Sequence, residues 1–335
     1  MAEGFESYWE FASPRLTTAG IMLGAAILDY WVGDPPAWLH PVQVIGWGIQ
    51  GYCRWIWARK LGAIGEKVAG VVLALGTVVM TTGVVWLLIG VAQLGHPVLA
   101  LLVQTILLAS CLAGRSLRRA AQEVLQPLAR GDMPQARLTL SRYVGRDTAQ
   151  LDVPEMLRAV LETVSENATD GVMAPLFYAW LGGMLGQSPA VWAFGYKAVS
   201  TLDSMVGYRT PPYTHLGWAS ARLEDGLTWL PCRLLVVTVG LLSGQPFYVW
   251  RICRRDAPRD PSPNSGWSEC CYAASLGVQL GGVNTYQGVV KMKPPLGEPL
   301  RAITPAVVQQ ALALTRRCFL TWLGLGLVGL GVFPG

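Results

Sequence analysis

The sequence predicts an all-α, polytopic integral membrane protein, and its composition and its long apolar segments are the observations behind that prediction. Of the 335 residues, 52% are hydrophobic and 14% are charged, whereas soluble domains contain roughly 25% charged residues. Residues 68–92 carry no charge, and about 20 apolar residues are enough to cross the hydrocarbon core. We therefore expect about four to six membrane-embedded helices, some short or re-entrant, with cytoplasmic amphipathic helices and polar loops.

Several classes of protein are disfavoured by the same composition. The seven cysteines form no CxxC pair and only three histidines accompany them, which argues against a zinc site or a disulfide framework. No basic run alternates with aromatic residues, so we expect no nucleic-acid partner. A signal peptide begins with basic residues, whereas this chain begins with the acidic residues Glu3, Glu6 and Glu10. We therefore expect no cleaved signal peptide. The P-loop, HExxH and GxSxG signatures do not occur.

The N-terminal part predicts three apolar helices. Residues 16–32 form a marginal span that contains Asp29 and ends before Pro35 and Pro36. Residues 68–92 form the clearest span, and residues 98–113 return after a turn. Four basic residues lie in 54–67 and three arginines in 115–119, while the turn at 93–97 has none. The positive-inside rule places both basic segments in the cytoplasm, and the N-terminus outside.

Residues 115–170 look the most soluble, and two helices are predicted there, at 134–144 and 153–169. Asp152 and Glu155 match the spacing of a capping box at the start of the second helix. Its apolar residues share one face, and the opposite face carries Glu155, Glu162, Glu166 and Asp170.

Two interpretations of this acidic face remain open. It is either a solvated surface, with Arg158 paired to Glu162 four residues on, or a Mg²⁺ site at the helix end, since Mg²⁺ takes oxygen ligands. Asn167, which projects toward the apolar side, and Gly171, where the next apolar segment begins, favour the second. Helical phasing weakens the case for Glu162 as a site residue, because an ion pair with Arg158 would explain a glutamate at that position.

A second polar cluster follows an interrupted apolar passage. Residues 171–196 contain glycines and prolines and predict two short legs that turn near 186–189 and return to the starting side. Residues 197–206 then predict a helix with Lys197, Ser200, Thr201 and Ser204 on one side and Asp203 beside them. Lysine beside hydroxyls and an acid is typical of an anion site, and the alternative is a snorkelling lysine.

The C-terminal third predicts amphipathic and polar segments with one last span. Residues 218–229 form an amphipathic segment, and 234–242 are too short to span unless they extend toward Trp250. Residues 261–266 predict a turn that either cradles an anion or is a plain loop. Residues 281–288 form a glycine-rich loop followed by Lys291 and Lys293, and 318–333 form a short final span. We expect one catalytic domain, 1–335, with N-terminal spans (16–114), a cytoplasmic segment (115–170), a site region (171–300) and a C-terminal span (301–335).

Five spaced motifs occur in one order along the chain. They are Gly33-Asp34-Pro35-Pro36 with His40-Pro41; Gly145-Arg146-Asp147-Thr148; Ser165-Glu166-Asn167 with Asp170-Gly171; Tyr196-Lys197-Ala198-Val199 with Thr201 to Met205 and Gly207-Tyr208-Arg209; and Ser262-Pro263-Asn264-Ser265-Gly266-Trp267. Together these motifs, over about residues 20–300, closely resemble the CobD or CbiB family of adenosylcobinamide-phosphate synthases. Ser200, Asp260 and Ser268 depart from the family pattern, which usually has Asn, His and Pro there.

This resemblance implies a reaction. It implies a multi-pass membrane enzyme that uses ATP to join (R)-1-amino-2-propanol, or its O-phosphate, to a carboxylate of adenosylcobyric acid. Amide formation needs an activated acyl group, most simply an acyl phosphate, with Mg²⁺ and cations around the phosphoryl oxygens. ATP and Mg²⁺ are therefore the implied cofactors, and the corrinoid is a substrate.

Resemblance and polarity together assign the roles. The predicted catalytic residues are Lys197, Asp203, Glu166 and Asp170, of which Glu166, Asp170 and Asp203 are the predicted magnesium ligands. Lys197 and Arg209 are expected to neutralise phosphate, and Asp34 or Glu269 to accept the amine proton. The predicted substrate-binding residues are Asn167, Ser204, Arg209, Asp34, His40, Ser262, Asn264, Glu269, Asn284 and Tyr286. The sharpest expectation is that Glu166, Asn167 and Asp170 face Lys197 and Asp203.

The resemblance also implies a location and partners. We expect the protein in the cell membrane with its site on the cytoplasmic face, in contact with the lipid bilayer and with other membrane enzymes of late corrinoid assembly. Two other classes of function stay open: a transporter, in which polar residues also lie beside broken apolar segments, and a non-catalytic scaffold for a corrinoid pathway complex. The missing inverted repeat weighs against transport.

Overall fold

A computed structural model describes residues 14–34 and 40–332, and within them it confirms the all-α architecture. The α-helices are α1 (Pro14–Trp31), α2 (Pro41–Trp57), α3 (Ala63–Gly95), α4 (Pro97–Cys111), α5 (Gly114–Ala129), α6 (Met133–Leu140), α7 (Val153–Asn167), α8 (Ala174–Met184), α9 (Pro189–Val206), α10 (Trp218–Leu242), α11 (Pro246–Asp256), α12 (Ser265–Leu276) and α13 (Pro305–Val332). A π-helical turn, Ala168–Met173, follows α7, and a short 3₁₀ turn, Ala257–Arg259, follows α11. The strands β1 (Gln279–Tyr286) and β2 (Val289–Gly297) form an antiparallel hairpin.

Four helical ranges are long and apolar enough to cross a membrane, which confirms a polytopic membrane protein. They are Ala63–Gly95, Pro97–Ala129, Trp218–Leu242 and Pro305–Gly331. The predicted marginal first span, α1, is not among them. The prediction for 218–242 was wrong, because the amphipathic and the short apolar segment are one continuous helix in spite of the internal Pro231. The last span is also longer than predicted, since α13 begins at Pro305.

The chain's internal contacts divide it into two compact units. The first unit contains the described residues up to Ala113, then Ala174–Leu227, then those from Trp322 onward. The second unit contains Gly114–Met173 and Thr228–Thr321. The expectation of a single catalytic domain stays a prediction, and each unit is described by itself.

The first unit is built on α9, which packs against α2, α3, α4 and α8. Its buried core includes Ile49 on α2, Leu73 on α3 and Leu202 on α9. The predicted turn is confirmed, because α8 ends at Met184 and α9 begins at Pro189. The prediction of a separate helix at 197–206 was wrong, because the second leg and that helix form one continuous helix, α9. Whether the two legs return the chain to its starting side of a membrane stays a prediction.

In the second unit, α7 packs against α12, and the hairpin contacts both helices. The capping box at the start of α7 is confirmed: Asp152 accepts a hydrogen bond from the Glu155 N–H, and Glu155 accepts one from the Asp152 N–H. Because the capping box satisfies N–H groups that the first turn leaves unpaired, it fixes where α7 begins. The helix predicted at 134–144 ends earlier, with α6, at Leu140.

The hairpin replaces the glycine-rich loop predicted at 281–288. Gln287 and Gly288 have φ of 51° and 77°, as the tight two-residue turns that join antiparallel strands require. The strand register shifts between Leu280 and Gly282, where Gly281 has φ of 83°. A Cβ atom at Gly281 would lie 2.1 Å from the Pro294 carbonyl oxygen, so the bulge needs glycine there.

Candidate active site

The motif at residues 145–148 holds the tip of the hairpin. The Asp147 carboxylate accepts hydrogen bonds from the backbone N–H groups of Gln287, at 3.1 Å, and Gly288, at 2.8 Å. Its own N–H group donates to the Thr285 carbonyl oxygen at 2.8 Å. Hydrogen bonds from neutral donors to an ionised acceptor are stronger than those between neutral groups. The motif therefore fixes the turn of the hairpin against the segment that precedes α7.

Glu162 is the centre of a buried ion network at the base of the same hairpin. Its carboxylate pairs with Arg146, lies 3.3 Å from Arg158, and accepts the Gly281 N–H at 2.9 Å. The Arg158 pair was predicted, but the solvated surface was not found, since Glu162 is only 2% exposed. The hairpin covers this face of α7. We name Arg146, Arg158 and Glu162 the hairpin clamp.

The hairpin clamp and the register of the two strands together place Lys293 beside a set of acidic side chains. Lys293 pairs with Gly282 across the strands. Its Nζ lies 2.5 Å from Glu269 Oε1 and 3.7 Å from Asp260 Oδ2. Glu269 lies on α12 and is fully buried. Together with Glu166, which is close enough to interact electrostatically with Lys293 and Asp260, these residues form what we name the acid–lysine cluster.

Glu166 gives this cluster access to solvent. The residue is exposed to solvent, and Lys293, Asp260 and Glu162 lie close enough to act on its carboxyl group. Burial raises its pKa above the ordinary value for glutamate; Lys293 opposes this rise, and Asp260 and Glu162 add to it. A carboxyl group with a raised pKa is suited to proton transfer near neutral pH.

Lys293 keeps its positive charge inside the cluster. Burial favours the neutral amine, but the neighbouring carboxylates of Glu269 and Asp260 outweigh burial and raise the pKa of Lys293 above its ordinary value. Burial also raises the pKa of Glu269, which Lys293 opposes and Glu166 reinforces. One lysine therefore faces three carboxyl groups, and it cannot neutralise all of them.

Residues on α12 and the preceding loop tie the cluster to α7. The Ser268 hydroxyl donates to the Ser165 carbonyl oxygen at 2.5 Å and contacts the Thr169 hydroxyl at 2.6 Å. The loop at 261–266 is the predicted turn: the Ser262 hydroxyl accepts the N–H groups of Asn264 and Ser265. Asn264 is buried, and Arg233 donates to its side-chain oxygen at 2.7 Å. The substrate-binding roles of Ser262 and Asn264 stay predictions.

The remaining predicted residues of the second unit differ in exposure. Asp170 is half-buried on the π-helical turn, and Asn167 is exposed, so it does not join the apolar face of α7. The Asn167 amide donates to the Thr163 carbonyl oxygen at 2.9 Å. Asn284 is buried and accepts a hydrogen bond from Arg146 at 2.8 Å. Tyr286 is half-buried, with the Lys291 ammonium 5.4 Å from its ring centroid.

The first unit holds the other predicted residues near the start of α2 and the end of α9. His40 caps α2: its Nδ1 accepts the Val42 N–H at 3.2 Å, so its Nε2 donates to Asp34, at 3.1 Å. Lys197 and Asp34 both lie within electrostatic range of the buried Cys111. α2, which follows the first motif, packs against α9, which carries the fourth, and Gly46 lies against Met205.

Asp203, Ser204 and Arg209 lie at the C-terminal end of α9 and just beyond it. A Cβ atom at Gly207 would lie 2.0 Å from Asp203 Oδ1, so the Asp203 side chain rests against the backbone of the fourth motif. Ser204 is exposed and donates to the Thr201 carbonyl oxygen at 3.0 Å, and Arg209 is exposed.

Comparison with known proteins assigns the chain to a family. A family model described as CobD/Cbib protein matches residues 22–315. The chain is 51% identical to the cobalamin biosynthesis protein CobD of Synechocystis sp. over 92% of its length and 90% of the relative's. It is 45% identical to CobD of Geobacter metallireducens, over 86% of this chain and 89% of the relative. It is 42% identical to the cobalamin biosynthesis protein CbiB of Salmonella typhi, over 87% of this chain and 90% of the relative.

The chain belongs to the CobD/CbiB family. Its role is therefore in cobalamin biosynthesis, and the resemblance carried by the five motifs is confirmed at the level of the family. No solved structure matches the chain. The acid–lysine cluster and the hairpin clamp lie within the matched residues of this CobD/CbiB protein.

The predicted magnesium ligands do not form a ready-made site. Glu166 and Asp170 belong to the second unit, and Asp203 belongs to the first. In residues 14–34 and 40–332, no group of three or more His, Cys, Asp or Glu side chains is arranged to hold a metal ion. That Glu166, Asn167 and Asp170 face Lys197 and Asp203 stays a prediction, because these residues belong to different units.

Several residues of this CobD/CbiB protein's site had no role assigned from sequence. Lys293 appeared only as a basic residue behind a glycine-rich loop, and Asp260 only as a departure from the family pattern. Arg146 stood in a quoted motif without a role. The signal available for Lys293 was the glycine pair at 281–282 with the Gln287–Gly288 turn, which together indicate a bulged hairpin.

Proposed function

We propose that the chain is an adenosylcobinamide-phosphate synthase, which uses ATP to form an amide between (R)-1-amino-2-propanol, or its O-phosphate, and the side-chain carboxylate of adenosylcobyric acid. The observation that supports this proposal is the acid–lysine cluster, which places ionisable groups of both signs close together in a cobalamin biosynthesis protein. Amide formation requires both kinds of group, because the amine must lose a proton and the phosphoryl oxygens must be neutralised.

The amine must lose a proton before its nitrogen can attack an acyl group. Glu166 is the residue we propose for this step, because it is accessible and its pKa is raised by burial and by neighbouring carboxylates. A base works best when its pKa lies near the operating pH. Lys293 lies 2.5 Å from Glu269 Oε1 and so fixes the position of that carboxyl group.

The carboxylate must be activated, which is the proposed task of ATP. Lys197 and Arg209 are proposed to neutralise phosphate oxygens, since ammonium and guanidinium groups stabilise a transferring phosphoryl group. Mg²⁺ commonly accompanies ATP and is bound through one or two carboxylates together with substrate phosphates. The described residues offer no complete protein site for the ion, so Asp170 is proposed as a ligand only alongside phosphate, and Glu166 is proposed as the base instead.

The test is synthesis by purified protein. Protein in nanodiscs is incubated with adenosylcobyric acid, ATP and either the free amine or its O-phosphate, and the product is identified by mass. We expect an amide that requires ATP, and the amine that reacts faster identifies the substrate. Corrinoid binding without ATP turnover would instead support a scaffold, and uptake into liposomes without a new covalent product would support a transporter.

Two lysines of β2 form a matched pair for this assay. Lys293→Ala removes the cation of the acid–lysine cluster, and we expect amide synthesis to fall by about 100-fold or more. Lys291→Ala removes an exposed lysine two residues away on the same strand, and synthesis should be retained. Lys197→Ala and Asp170→Ala are also expected to lose synthesis, and normal rates in either variant would refute the roles proposed for them.

A cytoplasmic site is part of the proposal. The Gln287 side chain is exposed at the tip of the hairpin, and all seven native cysteines are buried. A membrane-impermeant maleimide should therefore label a Gln287→Cys variant in inside-out vesicles and not in intact cells. Labelling in intact cells would place the hairpin on the outer face.

A further inference from the structure

Two carboxylate oxygens of the acid–lysine cluster have no hydrogen-bond donor among the described residues. They are Glu269 Oε2 and Asp260 Oδ2, and both are buried. The Glu269 residue is fully buried, and the Asp260 side chain is 4% exposed. An ionised carboxylate oxygen accepts up to two hydrogen bonds, and leaving a charged oxygen buried without a donor is costly. Two oxygens in one cluster share this deficit.

The protein's own cations near the cluster are engaged elsewhere. Lys293 Nζ lies 2.5 Å from Glu269 Oε1, and its 3.7 Å distance to Asp260 Oδ2 is too long for a hydrogen bond. Arg146 binds Glu162 and Asn284, and Arg158 binds Glu162 and the carbonyl oxygens of β1. Among the described residues no donor reaches these two oxygens, and a cationic donor from outside the chain would satisfy both.

The charge of the cluster indicates what kind of donor fits. Glu166, Asp260 and Glu269 lie near the cation Lys293, and Arg146, which also acts on Glu166, is bound to Glu162 and Asn284. Water supplies hydrogen-bond donors but no charge. A metal ion supplies charge, but no three acidic side chains in the described residues are arranged around one point. A primary ammonium group supplies both a positive charge and three N–H donors.

We propose that Asp260 and Glu269 bind the primary ammonium group of the amine substrate, and that the exposed Glu166 lines its entry. This inference rests on the proposed function, because that function supplies an amine as substrate. In this site the ammonium ion donates to the two carboxylate oxygens that have no other donor among the described residues.

The first experiment compares two ligands that differ only at the charged group. Binding of 1-amino-2-propanol and of 1,2-propanediol to wild-type protein in nanodiscs is measured by calorimetry at pH 7, where the amine is protonated. We expect the amine to bind and the diol to bind at least about tenfold more weakly. Equal binding would refute an ammonium site. This comparison does not depend on any variant folding.

The second experiment locates the site. Asp260→Asn keeps the shape and removes the charge, and we expect the Kd and the KM for the amine to rise about tenfold or more, with the Kd for the corrinoid unchanged. Glu298→Gln is the matched control, because Glu298 is a carboxylate of the same unit that pairs with Arg255 away from the cluster. Unchanged amine affinity in Asp260→Asn, or displacement of the amine by Mg²⁺ alone, would overturn the proposal.

The two proposals fail in different ways. If wild-type protein forms no amide but binds the amine in a manner that depends on Asp260, the ammonium site stands and the proposed reaction is wrong. If wild-type protein forms the amide and Asp260→Asn leaves the KM for the amine unchanged, the reaction stands and the ammonium site is wrong.

Discussion

Removing the Glu162 carboxylate should destabilise the second unit more than removing any exposed charge. Glu162 is 2% exposed and is shared by Arg146, Arg158 and the Gly281 N–H. Glu162→Ala leaves two largely buried guanidinium groups without their carboxylate. Breaking a buried ion pair by deleting one partner costs about 3–5 kcal/mol. The matched control is Arg119→Ala, which breaks an ion pair with a 58% exposed arginine and should cost about 1 kcal/mol or less.

The free energy of unfolding is measured by denaturant titration in detergent, and the hairpin is followed by hydrogen exchange. Because the clamp holds the base of β1, Glu162→Ala should speed exchange of the hairpin amides, and Arg119→Ala should not. A loss in Glu162→Ala no larger than in the control, or unchanged hairpin exchange, would refute the reasoning that a buried network positions the hairpin.

Three further predictions concern the same unit. Gly281→Ala should destabilise the protein in thermal unfolding more than Gly288→Ala: both glycines have positive φ, but only at Gly281 would a Cβ meet backbone, the Pro294 carbonyl oxygen at 2.1 Å. Asp147→Ala removes the acceptor for the N–H groups of Gln287 and Gly288 and should speed hydrogen exchange of these two amides. Exchange of the β2 amides beyond the turn should change least. Glu166 has a raised pKa, so the folded state binds its proton more tightly than the unfolded state does. Stability should therefore fall as pH rises from the ordinary glutamate pKa through the raised value, and Glu166→Gln should flatten that fall in melting temperature against pH.

Local signals in the sequence predicted the elements whose geometry is set locally. Asp152 and Glu155 are three residues apart and satisfy each other's N–H groups, so the start of α7 could be read from four residues. The break between α8 and α9 was predicted for a similar reason, because Gly186, with φ of 70°, and Pro189 are adjacent signals that end one helix and begin the next.

The hairpin and the clamp could not be predicted this way. Residues 279–297 contain glycines and two prolines and lack a clean alternation of polar and apolar side chains, so they resembled a loop. The solvated surface, one of the two interpretations of the face that carries Glu162, was based on helical phase, which shows the two sides of a helix but not what packs against them. Here the covering element comes from 119 residues further along the chain.

The order of the two units along the chain has a consequence for biosynthesis. The first unit begins near the N-terminus, is interrupted by both segments of the second unit, and is completed only by residues from Trp322 onward. The second unit is complete once Thr321 has been made, whereas the first still lacks the end of α13. During translation, therefore, the unit that carries Lys197 is completed after the unit that carries Lys293. A truncation after Thr321 would remove residues of the first unit only, including the part of α13 that lies against Trp180.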